Sequence, residues 1–233
     1  MTILGPRVQD IGVAAARENI TYIIQNLKAV YGVPRRERYR DPLDCLIETI
    51  LSQSTSNRNS HRAYSSLKAR FPDWEQARRA RPSSIEAAIR MGGLARQKSI
   101  RIKKLLNEIY DRRGSLDLAF LRKVPVNEAV GFLKTFKGVG PKTAACTLLF
   151  ACNRPVFPID VHIFRIARRL GLLPEKCSDE HAHQLMAHTI PPSRYYEAHI
   201  NLIRHGRQIC RPSNPRCEDC CLVDYCVYYR QSC

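Results

Sequence analysis

The chain has 233 residues, enough for one large domain or two modest lobes with a real core. Its 38 Lys and Arg against 21 Asp and Glu leave a formal charge of +17, the footprint of a protein that meets a polyanion, with nucleic acid as the leading partner. No apolar run approaches the roughly 20 residues a membrane span needs, and Arg7, Asp10, Arg17 and Glu18 interrupt any leader-like run, so a soluble, intracellular, non-secreted protein with no membrane partner is expected.

Ile20, Ile23, Ile24, Leu27 and Tyr31 recur at helical spacing, and Gly32 with Pro34 ends that helix. After a basic linker, 35–40, Asp41 and Pro42 spell a helix start, an N-cap followed by proline in the first turn where its missing N–H costs nothing. Leu43, Leu46, Ile47, Ile50 and Leu51 continue one face, and this helix runs into the polar loop SQSTSN, Ser52 to Asn57. Further helices are expected over 58–70, 82–90, 95–112, 126–136, 141–151, 161–170, 179–189 and 193–205. Period-two alternation of β-branched residues is scarce, so the fold class is all-α. Composition shifts before Asp41 and at Pro155–Pro158 divide the chain into 1–39, 40–153 and 154–233. These cuts isolate a central helical lobe from a second lobe made of both chain ends.

Three stretches carry chemistry. The first is FKGVGPKTA, Phe136 to Ala144. A Walker A loop is rejected because Thr135 stands where its first glycine belongs and Pro141 separates Gly140 from Lys142. A dinucleotide fingerprint fails because Thr143 replaces the third glycine and a helix precedes. What remains is helix, tight glycine hairpin, helix. Gly138, Val139 and Gly140 let backbone amides approach an anion, and the following helix N-terminus suits one phosphate, although the same hairpin also serves as a plain helix-helix turn. Lys142 falls in the first turn, where the dipole disfavours a cation. That field, and any burial, would lower its pKa and free a neutral amine for nucleophilic attack. Position alone ranks a phosphate anchor above a nucleophile.

The second is FPIDVHIFRIARRLG, Phe157 to Gly171, in which Asp160 precedes a helix closing near Gly171. A helix cap is the common use of such an aspartate, and a capping carboxylate is held rigidly enough to present an oxygen to a substrate as well. One helix and a short turn separate Asp160 from Lys142, so both can face one cleft. The third is C-x6-C-x2-C-x5-C: Cys210, Cys217, Cys220 and Cys226 inside RQICRPSNPRCEDCCLVDYC, with Cys221 as a spare thiol. Ten cysteines in a chain of this length, clustered at one end, point to metal rather than to a disulfide framework. Four thiolates in a Pro-rich loop need a centre to organise them, and zinc and an iron–sulfur cluster both accept four sulfurs. Cys45, Cys146 and Cys152 fall in apolar helical pattern and read as buried thiols.

The order K-G-V-G-P-K-T-A, F-P-I-D-V-H and C-x6-C-x2-C-x5-C resembles the endonuclease III group of helix-hairpin-helix DNA glycosylases, over about Tyr39 to Cys226. The sequences around DWEQARRA and PSRYYEAHINLIRHGRQIC also resemble plant demethylating glycosylases of the same superfamily. The resemblance implies two helical lobes, a central helical-barrel domain with the helix-hairpin-helix motif and a cluster domain formed from both ends, with DNA across the cleft between them. It implies that Cys210, Cys217, Cys220 and Cys226 bind a [4Fe–4S] cluster, that Lys142 is the Schiff-base lysine and that Asp160 is the catalytic aspartate. Leu94, in MGGLARQKS, matches the family's apolar wedge. The family carries glutamine or asparagine where Ser54 aligns, with Gln53 one residue earlier, so this chain departs from the pattern at the residue that fills the gap left by a flipped base. The implied activity is base-excision repair of double-stranded DNA holding damaged bases or abasic sites, by a bifunctional glycosylase and lyase acting on oxidised pyrimidines as a cytoplasmic, nucleoid-associated monomer. Two other expectations stand beside it: a glycosylase for mismatched thymine or modified cytosine, and a non-catalytic DNA-binding module with structural zinc.

Overall fold

The computed structural model describes residues 8–36 and 40–232, with side-chain surroundings given from residue 19 to 231. Arg7 and Tyr39, and the side chains of Asp10, Arg17 and Glu18, lie outside these. In chain order the helices are α1 (Val8–Tyr31), α2 (Pro42–Ser52), α3 (Asn57–Arg70), α4 (Trp74–Arg79), α5 (Pro82–Ala88), α6 (Ala95–Arg113), α7 (Val126–Lys134), α8 (Pro141–Ala151), α9 (Val161–Arg169), α10 (Asp179–Thr189), α11 (Tyr195–Gln208) and α12 (Val227–Ser232). Among the described residues every regular element is helical, so the fold is all-α. The chain divides into two compact units, one continuous from Arg38 to Arg154 and one made of Met1–Glu37 with Pro155–Cys233.

In the continuous unit α2 is the hub. The Asp41 carboxylate caps it by accepting from the Leu43 and Asp44 amides. Pro42, Leu43, Cys45, Leu46, Ile47, Ile50 and Leu51 are all buried, because the helix packs against α3, α6 and α8. Burying each Leu or Ile is worth about 1.5–3 kcal/mol. Ala144, Ala145 and Cys146 keep α8 slim enough to lie close against it. The expected helix over 82–90 stops at Ala88, where the Ile89 amide bonds back to both Ile85 and Glu86 and tightens the chain into a 3₁₀ turn at Arg90–Gly92. Likewise the helix expected to reach 136 ends at Lys134, since the Thr135 and Phe136 amides bond back only three residues, to Phe132 and Leu133. α4 was outside the expected set; its six residues are too few to show a period, and its Asp73 cap and buried Trp74 hold it in place.

In the discontinuous unit α11 packs against α1 and α9. α1 extends twelve residues further toward the N-terminus than its apolar pattern announced, and its Ile20, Ile23, Ile24 and Leu27 are buried. Gly206 sets how near α9 comes, since a Cβ there would lie 2.8 Å from His162 Cβ. α10 packs on α1, and α12 on α9.

Candidate active site

The hairpin between α7 and α8 has one anchored and two open residues. Val139 is 4% exposed, so its side chain belongs to the core and only its backbone is left at the turn. Gly138 adopts φ +87°, and any Cβ there would strike the Arg101 guanidinium at 2.4–2.7 Å. Gly140, by contrast, would have nothing within 4 Å of a Cβ. Among the described residues no atom fills the space beside it, as close approach of a ligand to backbone requires. No side chain caps α8, so its first-turn amides stay available to an anion. Lys142 is the second residue of that helix, half-buried, and among the described residues it enters no hydrogen bond or ion pair. A cation at the positive end of a helix with no carboxylate partner is placed for something other than stability.

Gln53 faces the hairpin rather than solvent. Its amide donates to Gly138 O (3.1 Å) and Thr143 Oγ1 (3.2 Å), and its Oε1 accepts from Arg101 Nη1 (2.6 Å). The residue with a loop-tip geometry is Ser54, exposed with φ 52°. Leu94 shares that left-handed backbone at φ 49° and is 52% exposed. A non-glycine residue held there stores strain that surrounding structure must support. The two loops adjoin, since a Cβ on Gly93 would lie 3.8 Å from Thr55 Oγ1 and 4.0 Å from Ser54 O. One buried cation joins them: Lys98 Nζ donates to Leu51 O (2.7 Å) and Gly92 O (2.8 Å). Neither Lys98 nor Arg101 was singled out from sequence. The signal for Lys98 was its place four residues before Ile102 on the apolar face of α6.

Asp160 lies in the other unit as the N-cap of α9. Its Oδ1 accepts from the His162 (2.9 Å) and Ile163 (2.8 Å) amides, and among the described residues Oδ2 accepts none. The cap reading and the catalytic reading are thus compatible, one oxygen for each. Burial pushes the neighbouring His162 ring below its ordinary value, with the Asp160 charge opposing. Val161, the first residue of α9, is 75% exposed.

Cys210, Cys217, Cys220 and Cys226 occupy the loop after α11, with Cys226 buried and the rest half-buried. Two arginines one turn apart on α9 hold the loop: Arg165 donates to Gly206 O and Cys210 O, and Arg169 to Arg211 O and Pro212 O. Arg169 Nη1 also donates to Cys210 Sγ (3.2 Å), and the Tyr229 amide to Cys226 Sγ (3.4 Å). His205 Nε2 lies 3.5 Å from Cys220 Sγ. Burial, then the neighbouring Cys221, Cys210 and Cys226 thiols, pushes Cys220 up to about 12. Among the described residues no group of three or more His, Cys, Asp or Glu side chains stands at single-ion spacing. The four cysteines, with Cys210 Sγ accepting from Arg169 and Cys226 Sγ from the Tyr229 amide, fit a thiolate-held centre, whose positive charge would let crowded thiols ionise together.

Residues 47–192 match the family described as HhH-GPD superfamily base excision DNA repair protein. The chain belongs to that family. Among HhH-GPD relatives, it is 42% identical over 165 residues to a candidate DNA glycosylase of Arabidopsis thaliana, covering 71% of this chain and 56% of that one, so it spans little more than half of that relative's length. It is 30% identical over 201 residues to endonuclease III of Thermotoga maritima, covering 85% of this chain and 88% of the relative. Its fold matches a trapped endonuclease III–DNA covalent intermediate with a TM-score of 0.79 at 23% identity, over 92% of this chain and 97% of the other. The helix-hairpin-helix for which the family is named is the α7–α8 pair with Gly138–Gly140 at its turn.

Proposed function

We propose that this HhH-GPD protein is a bifunctional DNA glycosylase and abasic-site lyase that removes oxidised pyrimidines from double-stranded DNA. The observation that carries the reading is Lys142, unpaired at the mouth of an uncapped helix beside an open glycine turn. A base inside a duplex is out of reach, so the damaged nucleotide is flipped out, at a cost of a few kcal/mol that is smallest for a damaged base. The neutral Lys142 amine attacks C1′, the bond from C1′ to the base breaks, and the base leaves with the electron pair and gains a proton. Asp160, with Oδ2 unoccupied by protein donors, stabilises the positive charge developing on the sugar and relays protons. Loss of an N–H proton as the ring C1′–O4′ bond opens leaves an imine at C1′, which acidifies the C2′ proton. Removal of that proton expels the 3′ phosphate oxygen and nicks the strand on the 3′ side. Ser54 and Leu94, exposed on adjoining strained loops, occupy the vacated stack and the opposite strand. Gln53 positions the hairpin from behind. Cys210, Cys217, Cys220 and Cys226 would hold a [4Fe–4S] cluster, which when bound ties an otherwise coreless loop to α9 and α11. Protein and DNA meet inside the cell, one active centre per chain sufficing.

Borohydride trapping on duplexes with thymine glycol or an abasic site tests this directly. Wild type should give a covalent adduct, and Lys142→Ala none; Asp160→Asn should lower base release by two orders of magnitude or more, roughly. Active wild type without an adduct would assign the attack to water and reduce Lys142 to a phosphate contact. A second reading, excision of mismatched thymine or a modified cytosine, draws on Val161, whose exposed apolar side chain beside Asp160 suits a methylated pyrimidine. Faster release from a G·T or 5-methylcytosine duplex than from thymine glycol would favour it.

A further inference from the structure

The extended segment that delivers Asp160 to α9 is held by two histidines from other helices. On α11, His199, 3% exposed, donates from Nδ1 to the Pro158 carbonyl at 3.0 Å. On α10, His183 takes the next backbone group: the Ile159 amide donates to its Nε2 at 3.1 Å. His183 Nδ1 lies 2.8 Å from the Asp179 carbonyl, one turn back in its own helix. An amide N–H only donates and a carbonyl only accepts, so both bonds exist in one state alone, the neutral ring with its proton on Nδ1. A histidine bonding back to its own helix is ordinary by itself; His188 does so to Gln184 at 2.7 Å and, among the described residues, reaches no further. What sets His183 apart is the second bond, to a segment elsewhere in the unit. Ile159 is 2% exposed, so its amide depends on a protein acceptor, and Asp160 follows immediately.

We propose that His183 is a positioning residue for Asp160, its Nδ1–H tautomer fixing the backbone from which the carboxylate projects. The inference rests on the reading of Asp160 as the catalytic carboxylate. A misplacement of about 1 Å costs roughly 10²-fold in rate, so the effect is expected in kcat rather than in DNA affinity.

The test uses the full chain and begins without substrate. In ¹⁵N-labelled protein, two-bond ¹H–¹⁵N correlations should show His183 Nε2 without a proton, and the Ile159 amide should be protected from exchange. The His183→Gln variant, whose side-chain oxygen replaces Nε2 as acceptor, should keep that protection; His183→Leu should lose it. Base release should follow the same order, with kcat reduced about 10²-fold in the Leu variant, largely restored in the Gln variant, and KM little changed. A proton on Nε2, or equal loss of kcat in both variants, overturns the proposal. Should Asp160→Asn release bases as fast as wild type, the catalytic reading falls while the histidine–amide bond survives in the spectra, so the two failures are distinct.

Discussion

Lys98 is a cation on the apolar face of α6, 2% exposed, with the ends of two helical segments as its partners. Burial and the nearby Arg101 charge lower its pKa from the usual 10.5. Below that value the unfolded chain holds its proton more tightly than the folded one, so stability rises with pH in the window just under 10.5, and the penalty is larger at neutrality than at the top of that window. The amine serves Leu51 O and Gly92 O, and leaving such buried acceptors unpaired costs about 1–3 kcal/mol. In Lys98→Met the urea midpoint should drop accordingly at pH 7, and the gain between pH 7 and 9.5 should disappear. A Met variant as stable as wild type at pH 7 would show that the two carbonyls find water instead. The same change should loosen Ser54 and Leu94 together, since one side chain supports both loops.

The two glycines of the hairpin make opposite demands. Gly138 is required by its own protein, through φ +87° and the Arg101 side chain in the place of a Cβ. Gly138→Ala should therefore lower stability by about 1–3 kcal/mol and free Gln53 from Arg101. Gly140, with φ −88° and empty space beside it, should accept alanine with a stability change within about 0.5 kcal/mol, yet lose affinity for duplex DNA. Equal DNA affinity for wild type and Gly140→Ala in an anisotropy titration would remove the hairpin from the interface. At this scale the sequence was informative where punctuation was local. Gly-Val-Gly-Pro marks the α7–α8 turn, and Asp41-Pro42 and Asp160 mark caps that the structure reproduces. It was silent where the partner is distant along the chain. Nothing near Gln53 announces that its amide is committed to Gly138, 85 residues away, nor near His183 that it receives the Ile159 amide. A hydrogen bond across helices depends on packing, and packing has no period to read. Val139 is expected to offer its backbone amide, and the burial of its side chain is a packing fact that the glycines around it do not announce.

Across the whole molecule the excess of 17 positive charges predicts how strongly binding depends on salt. Affinity for undamaged duplex should fall linearly on a log–log plot between 50 and 200 mM salt, by a slope of about 0.9 for each phosphate neutralised. Binding that is indifferent to salt would mean the basic residues face away from nucleic acid.

The unit that carries Asp160 and the cysteine loop is assembled from both ends of the chain, with Arg38–Arg154 read out between them. This arrangement has a consequence in time. During synthesis at about 5–20 residues per second, α1 emerges well before α10 and α11 and waits on the order of ten seconds for them, the surfaces that cover Ile20, Ile23, Ile24 and Leu27. The continuous unit needs no such delay, because its hub α2 and the α8 that closes it are both made before Pro155. The nascent chain therefore passes through a stage with a finished hairpin lobe, an uncovered amphipathic helix and no cysteine loop, and apolar surface left uncovered in this way is prone to aggregation.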